Sequence, residues 1–228
     1  MIGIIGAMEA EIATLKNSLK NMQTKIVGKT EFFTGEIDGK GVVVVQSGIG
    51  KVNGGICATI LKVCFNCSLI INTGIAGGTN LTSCEDVIIG EKCAYHDVDV
   101  RVFGYKLGQV PGDEVFYQAS QPVVEQVKSL LNSLNVSYKS GVILSGDQFV
   151  TEKFVYEKMG INNVLACEME GAAIAQTCVK LGVPFIVIRY ISDVIGEKSQ
   201  IENYKIFEEK MAIRSCKICL EIISKINL

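Results

Sequence analysis

The sequence predicts an α/β protein in which a mixed, mostly parallel central sheet is flanked by helices in three α/β/α layers, as a single domain over residues 1–228. Two observations lead to this class. Short, continuous apolar runs alternate with segments of helical period along the whole chain, which is typical of parallel strands buried on both faces. The chain has only 3 prolines and contains no linker rich in serine, glycine or proline, so we expect no domain boundary.

The individual elements follow from these patterns in chain order. The predicted strands are nearly all apolar and cover residues 2–5, 42–45, 69–71, 87–89, 142–144 and 185–188. The predicted helices carry apolar residues at intervals of three and four and cover residues 8–22, 52–63, 123–134, 172–181 and 207–226. The last of these helices is expected to be the longest.

Composition excludes several classes of partner. The 22 Lys and Arg residues against 24 Asp and Glu residues give a net charge of −2, without any basic block, so we expect no nucleic-acid partner. No apolar run approaches the ~20 residues that a membrane span needs, and no charged segment precedes the first apolar stretch. We therefore expect a soluble cytoplasmic protein without a membrane partner.

The cysteines and the single histidine give little support for a metal site or a hydrolase triad. Cys64 and Cys67, with Cys216 and Cys219, form two C-x-x-C pairs that could offer four thiolates to zinc. Both pairs occupy apolar helical positions far apart in the chain, so we expect buried small hydrophobic residues and no metal. His96 has no second histidine beside it, which favours a structural or interface role over a triad.

Neither common glycine motif of nucleotide-binding proteins is complete. The segment after the first strand, residues 3–11, lacks the third glycine of the dinucleotide fingerprint, and residues 47–51 lack the full phosphate-loop pattern. A dehydrogenase that uses NAD is therefore disfavoured. We expect no cofactor, and we interpret residues 47–51 as a tight turn that brings the backbone close to a ligand.

Carboxylates follow several of the predicted strands. Glu168 and Glu170 stand on either side of Met169 at a predicted strand-to-helix junction, while Glu11 and Asp193 follow two other strands. In a doubly covered sheet, ligands bind outside the carboxyl ends of the strands, where loops lead into helices. One acid near a helix N-terminus can be a simple dipole partner. Several acids at one edge instead indicate acid–base chemistry or recognition of a polyhydroxylated ligand such as a ribose.

Two polar segments accompany these acids. Residues 72–78 are predicted to form a glycine-rich turn directly after an apolar strand, with an ordinary strand-to-helix connection as the alternative. Residues 189–193 are predicted to lie immediately past a buried strand.

Seven segments together resemble the 5′-methylthioadenosine/S-adenosylhomocysteine nucleosidases, a family of the nucleoside phosphorylase superfamily. They occur in the order of the family over nearly the whole chain. The segments are IGIIGAMEAE at residues 2–11, SGIGKV at 47–52, IINTGIAGG at 70–78, YHDVDVRVFGYKLGQVPG at 95–112, SGDQFV at 145–150, EMEG at 168–171 and RYISDV at 189–194.

The resemblance implies a nucleoside phosphorylase-like fold and an enzyme that hydrolyses the N-glycosidic bond of methylthioadenosine, S-adenosylhomocysteine and 5′-deoxyadenosine. By this resemblance Asp193 is the general acid that protonates adenine N7, and Glu11 activates the attacking water with Arg189 nearby. Glu170 accepts hydrogen bonds from the ribose hydroxyls. The implied substrate contacts are Met8, Ile49, Ile75, Ala76, Gly77, Phe149, Val150, Glu168, Met169, Ser192 and Tyr204, with Phe207 as the second choice for the aromatic residue over the purine.

The resemblance also implies a homodimer in which the neighbouring subunit closes the alkylthio pocket with Val100, Phe103, Tyr105 and Pro111. The segment 98–110 is apolar and aromatic without helical period, so a covered loop fits it. An ordinary surface loop is the alternative.

One departure from the family pattern and two alternative functions remain. Ile75 stands where the family usually carries serine, which removes a hydroxyl near the ribose and the water. A phosphorolytic purine or uridine phosphorylase remains the closest alternative, although a phosphate site favours several arginines and the chain has only Arg101, Arg189 and Arg214. A nucleoside-binding sensor protein without enzymatic activity is a further hypothesis. The sequence does not rank methylthioadenosine, S-adenosylhomocysteine, 5′-deoxyadenosine and aminodeoxyfutalosine as substrates.

Overall fold

The computed structural model describes residues 1–227. Its strands are β1 (Ile2–Gly6), β2 (Lys20–Val27), β3 (Thr30–Ile37), β4 (Lys40–Gln46), β5 (Leu69–Gly78), β6 (Val87–Tyr95), β7 (Tyr117–Gln118), β8 (Tyr138–Ser145), β9 (Val164–Glu168) and β10 (Phe185–Val194). Its α-helices are α1 (Glu9–Asn17), α2 (Lys51–Phe65), α3 (Gln121–Ser133), α4 (Phe154–Glu157), α5 (Gly171–Leu181) and α6 (Gln200–Lys225).

All these strands join one sheet in the order β10-β6-β8-β9-β5-β1-β4-β3-β2, with β7 on the outer side of β6. Strand β10 also pairs with β5, and β5 pairs with β9 through Gly77 and Gly78. Five strands therefore close into a ring, β5-β10-β6-β8-β9, from which β1, β4, β3 and β2 extend as an open sheet. The ring brings the ends of β5, β9 and β10 together at one point.

The sheet is mixed, as predicted, but it is not mostly parallel. Half of the strand pairs are parallel, and the other half are antiparallel. The main reason is the antiparallel meander β2-β3-β4, which we did not predict from the sequence. Its second turn is formed by Asp38 and Gly39, both with positive φ, as a two-residue hairpin turn of the Asp-Gly type requires.

The first predicted helix, over residues 8–22, is longer than the observed helix α1, because the chain enters strand β2 at residue 20. Leu15, Leu19 and Met22 keep a helical spacing, but α1 ends at Asn17 and Met22 lies in β2. Asn21 has a positive φ of 53°, a conformation that asparagine tolerates better than most residues and that does not continue an α-helix.

The helices cover the sheet from both sides, as predicted. A Cβ atom on Gly3 would lie 2.9 Å from the Leu61 side chain of α2, and one on Gly6 would lie 2.7 Å from Ile12 of α1. Positions 3 and 6 point to opposite faces of a strand, so α1 and α2 belong to different layers. Helix α5 packs beside α2, and α6 packs beside α1.

Two strands run further than the apolar runs indicate. The glycine-rich segment 72–78, predicted as a turn, is the second half of β5, and residues 189–193 belong to β10. These two halves pair with each other in parallel, from Asn72 beside Val187 to Gly78 beside Val194. The polar residues of both segments are therefore held by sheet hydrogen bonds and not by loops.

Lys40 stabilises the end of the longest helix. Its Nζ donates to the carbonyl oxygens of Ile223, Ser224 and Ile226, at 2.8, 2.9 and 2.6 Å. The last carbonyls of a helix lack partners within the helix and carry partial negative charge. A Lys40→Met variant should therefore lose about 1–2 kcal/mol of unfolding free energy, as measured by urea denaturation.

Lys29→Met is the matched control, because Lys29 is exposed in the β2–β3 turn. It should change the unfolding free energy by less than about 0.5 kcal/mol. Equal stabilities for the two variants would contradict this role for Lys40.

Candidate active site

A cavity of about 580 Å³, including the part open to solvent, lies where β1, β5, β9 and β10 end. The predicted site residues that line it are Met8, Glu11, Ile49, Ile75, Ala76, Gly77, Phe149, Val150, Glu168, Met169, Glu170, Ser192, Asp193 and Tyr204. The structure thus brings together carboxylates from three separate stretches of the chain, at residue 11, residues 168–170 and residue 193.

Four residues that line the cavity were not predicted from the sequence. Ala7, Gln148, Cys167 and Ile195 also line the cavity. Each lies next to or two positions from a predicted residue and has no distinctive chemistry, so only the three-dimensional position reveals it. The signal that the sequence offered for these four residues was their position beside the predicted site residues.

Glu11 is held at the bottom of the cavity by backbone N–H groups. Its Oε2 accepts hydrogen bonds from Ala7 at 2.7 Å and Met8 at 3.0 Å, and its Oε1 accepts one from Ile75 at 2.9 Å. Burial raises the pKa of Glu11, while the positive charge of Arg189 and these N–H donors oppose that rise. The group is therefore a carboxylate that can take up a proton more readily than an exposed glutamate.

Gly74 makes room for this carboxylate. A Cβ atom at position 74 would lie 2.3 Å from Glu11 Oε1, which is closer than any real contact of this kind. The close approach, rather than a turn, explains a glycine in the middle of β5.

Glu168 and Arg189 form a buried ion pair behind the cavity wall. Arg189 donates from Nη2 to Glu168 Oε2 at 2.6 Å and to Asn72 Oδ1 at 2.5 Å. Glu168 also accepts hydrogen bonds from the Ser145 hydroxyl and from the N–H of Gly171. Arg189 was expected near the attacking water. Its side chain is 2% exposed and is hydrogen-bonded to Glu168 and Asn72, so it does not line the cavity itself, although its charge lowers the pKa of Glu11.

Glu170 connects the cavity to the start of α2. Its Oε1 accepts a hydrogen bond from the Gly50 N–H at 2.8 Å. Its other oxygen accepts none from residues 1–227. Burial, followed by the neighbouring Glu168 carboxylate, raises the pKa of Glu170 to about 8. The next N–H of α2, on Lys51, donates to Asp147, so two acids from other elements cap this helix.

Asp193 lies near the end of β10 and is 1% exposed. Ser192 Oγ donates to its Oδ1 at 2.6 Å, and Gln200 Nε2 donates to its Oδ2 at 2.8 Å. Burial raises the pKa of Asp193, and the two donors oppose that rise. A buried aspartate with a raised pKa is suited to hold and deliver a proton.

Two aromatic rings stand on one side of the cavity. Phe149 and Tyr204 meet edge to face, with ring centroids 5.3 Å apart and an interplanar angle of 84°. Phe207, the second choice for an aromatic lid, packs against the hydrophobic core. Such a pair offers apolar surface to a flat heterocycle.

No residue of the segment 98–110 lines this cavity, and several of its apolar side chains are exposed. Val102 and Phe103 are 86% and 77% exposed, and Tyr105 and Pro111 are exposed as well, while Val100 is half-buried. Residues 101–103 form a single 3₁₀ turn. Exposed apolar residues in such a cluster are unusual on a monomer.

Within residues 1–227, no group of three or more His, Cys, Asp and Glu side chains is arranged to hold a metal ion. His96 is buried, and its ring lies against Gly146, where a Cβ atom would come within 2.3 Å of it. In the same part of the chain, no helix is both long and apolar enough to cross a membrane.

The model of the phosphorylase superfamily matches residues 1–224. A 5′-methylthioadenosine/S-adenosylhomocysteine nucleosidase of Halalkalibacterium halodurans is 40% identical over 229 residues, which cover 99% of each chain. The chain belongs to the 5′-methylthioadenosine/S-adenosylhomocysteine nucleosidase family. The family resemblance of the sequence segments is thereby confirmed.

Solved structures agree with this nucleosidase family. The nucleosidase of Neisseria meningitidis, in complex with methylthio-immucillin-A, superimposes with a TM-score of 0.93 at 36% identity, over 99% of each chain. The futalosine hydrolase of Helicobacter pylori superimposes with a TM-score of 0.93 at 31% identity, over 99% of this chain and 97% of that one. A methylthioadenosine/S-adenosylhomocysteine nucleosidase and a futalosine hydrolase therefore share this fold.

Proposed function

We propose that this protein hydrolyses the N-glycosidic bond of 5′-methylthioadenosine and S-adenosylhomocysteine, and also of 5′-deoxyadenosine, and so releases adenine and the 5′-substituted ribose. It acts in the cytoplasm as a single domain over residues 1–228, without a cofactor or a metal. The observation that carries the proposal is the pair of buried carboxyl groups, Glu11 and Asp193, in one cavity, each with a raised pKa. Family membership supports the same conclusion.

Asp193 is the general acid of this mechanism. Its protonated carboxyl donates to adenine N7 as the bond between N9 and C1′ breaks, and the bonding electrons pass into the purine. Protonation turns adenine into a neutral leaving group, and a positioned acid of this kind contributes roughly 10²–10⁴-fold to the rate. Burial keeps the proton available at a pH where an exposed aspartate has lost it.

Glu11 is the general base. As adenine leaves, the sugar develops oxocarbenium character, and a water adds to C1′ while Glu11 accepts one of its protons. The three backbone N–H groups around Glu11 fix the carboxylate in one orientation. Arg189 orders this region through Glu168, which it holds in place by the buried ion pair.

The remaining cavity residues bind the substrate in this proposal. The free oxygen of Glu170 accepts hydrogen bonds from the ribose hydroxyls, and Met169 packs under the sugar. Phe149 and the backbone of Val150 hold the adenine ring, with Tyr204 as its aromatic cover. The other contacts are Met8 and Ile49 at the sugar and alkylthio region, Ile75, Ala76 and Gly77 on β5, Glu168 on β9, and Ser192, which supports Asp193.

Water, and not phosphate, is the nucleophile. The acids Glu11, Glu168, Glu170 and Asp193 line the cavity, and the guanidinium of Arg189 is already engaged with Glu168 and Asn72. A phosphate dianion would meet carboxylates where it needs a bidentate arginine.

Adenine release from methylthioadenosine should therefore proceed at the same rate with and without phosphate, with free 5-methylthioribose as the second product. Dependence of the rate on phosphate, with a sugar 1-phosphate as product, would establish the phosphorylase alternative. Absence of adenine release under both conditions would favour a nucleoside-binding sensor.

Gly74→Ala should lower kcat for adenine release by at least about 10-fold, because the added methyl displaces Glu11 from its three N–H donors. Gly41→Ala is a matched control in strand β4, where a Cβ atom meets its nearest neighbour, in Met1, at an ordinary 3.4 Å. The measurement is kcat for adenine release in both variants, and Gly41→Ala should keep the kcat of the unmodified protein. Equal kcat values for Gly74→Ala and the unmodified protein would show that Glu11 need not occupy this position.

The protein also forms a homodimer in this proposal, with Val100, Phe103, Tyr105 and Pro111 closing the alkylthio pocket of the neighbouring subunit. Exposed apolar residues on the 3₁₀ turn, Val102 and Phe103, and on α2, Val52 and Ile56, support it. Light scattering after gel filtration should give twice the chain mass. Phe103→Ser should raise KM for methylthioadenosine, and a monomeric protein with unchanged KM in this variant would contradict the assembly.

A further inference from the structure

Gln200 joins three segments around the cavity through one buried amide. It is the first residue of α6 and is 4% exposed. Its Nε2 donates to Asp193 Oδ2 and to the Val150 carbonyl oxygen, both at 2.8 Å. Its Oε1 accepts a hydrogen bond from the Gly196 N–H at 3.1 Å. Both N–H groups and the oxygen of the amide are therefore in use.

We propose that Gln200 is a positioning residue that fixes which oxygen of Asp193 carries the proton. This inference rests on the proposed acid role of Asp193. An amide N–H can only donate, and the carbonyl oxygen of a carboxylic acid accepts a hydrogen bond better than its hydroxyl oxygen does. The donor from Gln200 therefore favours Oδ2 as the carbonyl oxygen, and the proton resides on Oδ1, whose partner is the Ser192 hydroxyl.

The Ser192 hydroxyl can form a hydrogen bond with Asp193 Oδ1 whether Oδ1 is protonated or ionised, and this distinguishes Ser192 from Gln200. A hydroxyl group both donates and accepts, and the Ala76 carbonyl oxygen lies 3.3 Å from Ser192 Oγ as a second acceptor. Ser192 can therefore donate to an ionised Oδ1, or turn its hydrogen to Ala76 when Oδ1 is protonated. The two oxygens of Asp193 are unequal for this reason.

The same amide ties the acid to the purine-binding loop. The backbone of Val150 is proposed to hold adenine, and its carbonyl oxygen shares Gln200 Nε2 with Asp193. The distance between the ring-binding backbone and the acid is then set by one planar group. Loss of that group should reduce proton delivery more than substrate binding, and so should lower kcat more than it raises KM.

Other ionisable groups lie near Asp193 or around the same cavity. They are Cys84 between β5 and β6, Arg189 on β10, Tyr204 and Glu208 on α6, Glu197 before α6, and Glu11, Glu168 and Glu170 around the cavity. Burial raises the pKa of the Cys84 thiol and raises that of Tyr204 to about 12, so both stay uncharged near neutral pH. Gln200 and Ser192 are the two side chains that donate directly to the Asp193 carboxylate.

The test is the pH dependence of kcat/KM for adenine release from methylthioadenosine in Gln200→Met and Gln200→Glu. Donors to a carboxylate favour its ionised form, so removing one raises the pKa of Asp193. Since the acid works when protonated, the high-pH limb of the profile should move up by about half a pH unit or more in Gln200→Met, with kcat about 10-fold lower. Gln200→Glu places a carboxyl group against Oδ2 and should move the limb further.

Asn203→Ala is the matched control, because Asn203 lies in the same turn of α6 and bonds to Ser199. Its high-pH limb should stay in place. Thermal unfolding of each variant is measured in parallel. A folded Gln200→Met or Gln200→Glu protein with an unmoved limb would overturn the inference, and so would the loss of folding in both, since the amide would then be required for the fold itself. An unmodified protein that releases no adenine would instead refute the proposed function.

Discussion

Asp193→Asn is expected to lower kcat for adenine release by at least about 10²-fold while leaving the binding of methylthioadenosine largely intact. The asparagine keeps the shape of the side chain and can still accept a hydrogen bond from Ser192, but its amide N–H is too weakly acidic to transfer a proton to N7. Steady-state kinetics, together with the Kd of a non-hydrolysed analogue, measure the two quantities separately.

The pH profile gives a second test of Asp193. Activity of the unmodified protein should fall as the pH rises through the raised pKa of Asp193, because the acid is then ionised. The residual activity of Asp193→Asn should lack that limb. Asp38→Asn is a suitable control, since Asp38 lies in the β3–β4 turn at a positive φ that asparagine also accepts. Near-normal turnover in Asp193→Asn would remove the residue from the acid role.

Glu11→Gln is expected to lower kcat by about 10²–10⁴-fold, because the amide cannot accept the proton of the attacking water. The replacement has a second effect. Both carboxylate oxygens of Glu11 accept backbone N–H groups, so an amide NH₂ must face at least one donor and the side chain loses its fixed orientation. Adenine release under single-turnover conditions reports the chemical step directly.

Glu9→Gln provides the control for this prediction, since Glu9 is exposed at the start of the same helix. It should leave kcat unchanged. The base works when ionised, so activity of the unmodified protein should fall as the pH drops through the raised pKa of Glu11, and Glu11→Gln should lose this low-pH limb. If Glu11→Gln kept its full rate and both limbs, another group would have to activate the water.

The sequence predicted the elements of the fold better than their arrangement. Apolar runs located β1, β4, β5, β6, β8 and β10 because these strands are buried on both faces. Strand β2 was missed because nearly all its residues are exposed, so it carries no apolar run. Its pairing with β3 depends on turns whose conformation only the structure displays.

The positions of the acids were predictable, but their partners were not. Glu11, Glu170 and Asp193 follow strand patterns and match motifs of the family. Gln200 lies in no motif and has no unusual neighbour in the sequence, and its contacts with Val150 and Asp193 depend on the angle at which α6 leaves β10. Arg189 is buried and paired with Glu168, an arrangement that could not be inferred from a single sequence.

The closed circuit of strands has a consequence for how activity is lost. Asp193 and Glu168 belong to β10 and β9, and Ile75, one of the three residues whose N–H groups hold Glu11, belongs to β5. These strands are part of the ring β5-β10-β6-β8-β9, in which each strand is hydrogen-bonded to the next. None of these strands can separate from the ring without breaking its pairing with two neighbouring strands. The pairing between β5 and β9 consists of just Gly77 and Gly78 with their partners. Catalytic competence and native structure should thus disappear together in denaturant, with amides at this short pairing exchanging with solvent only when the whole molecule opens.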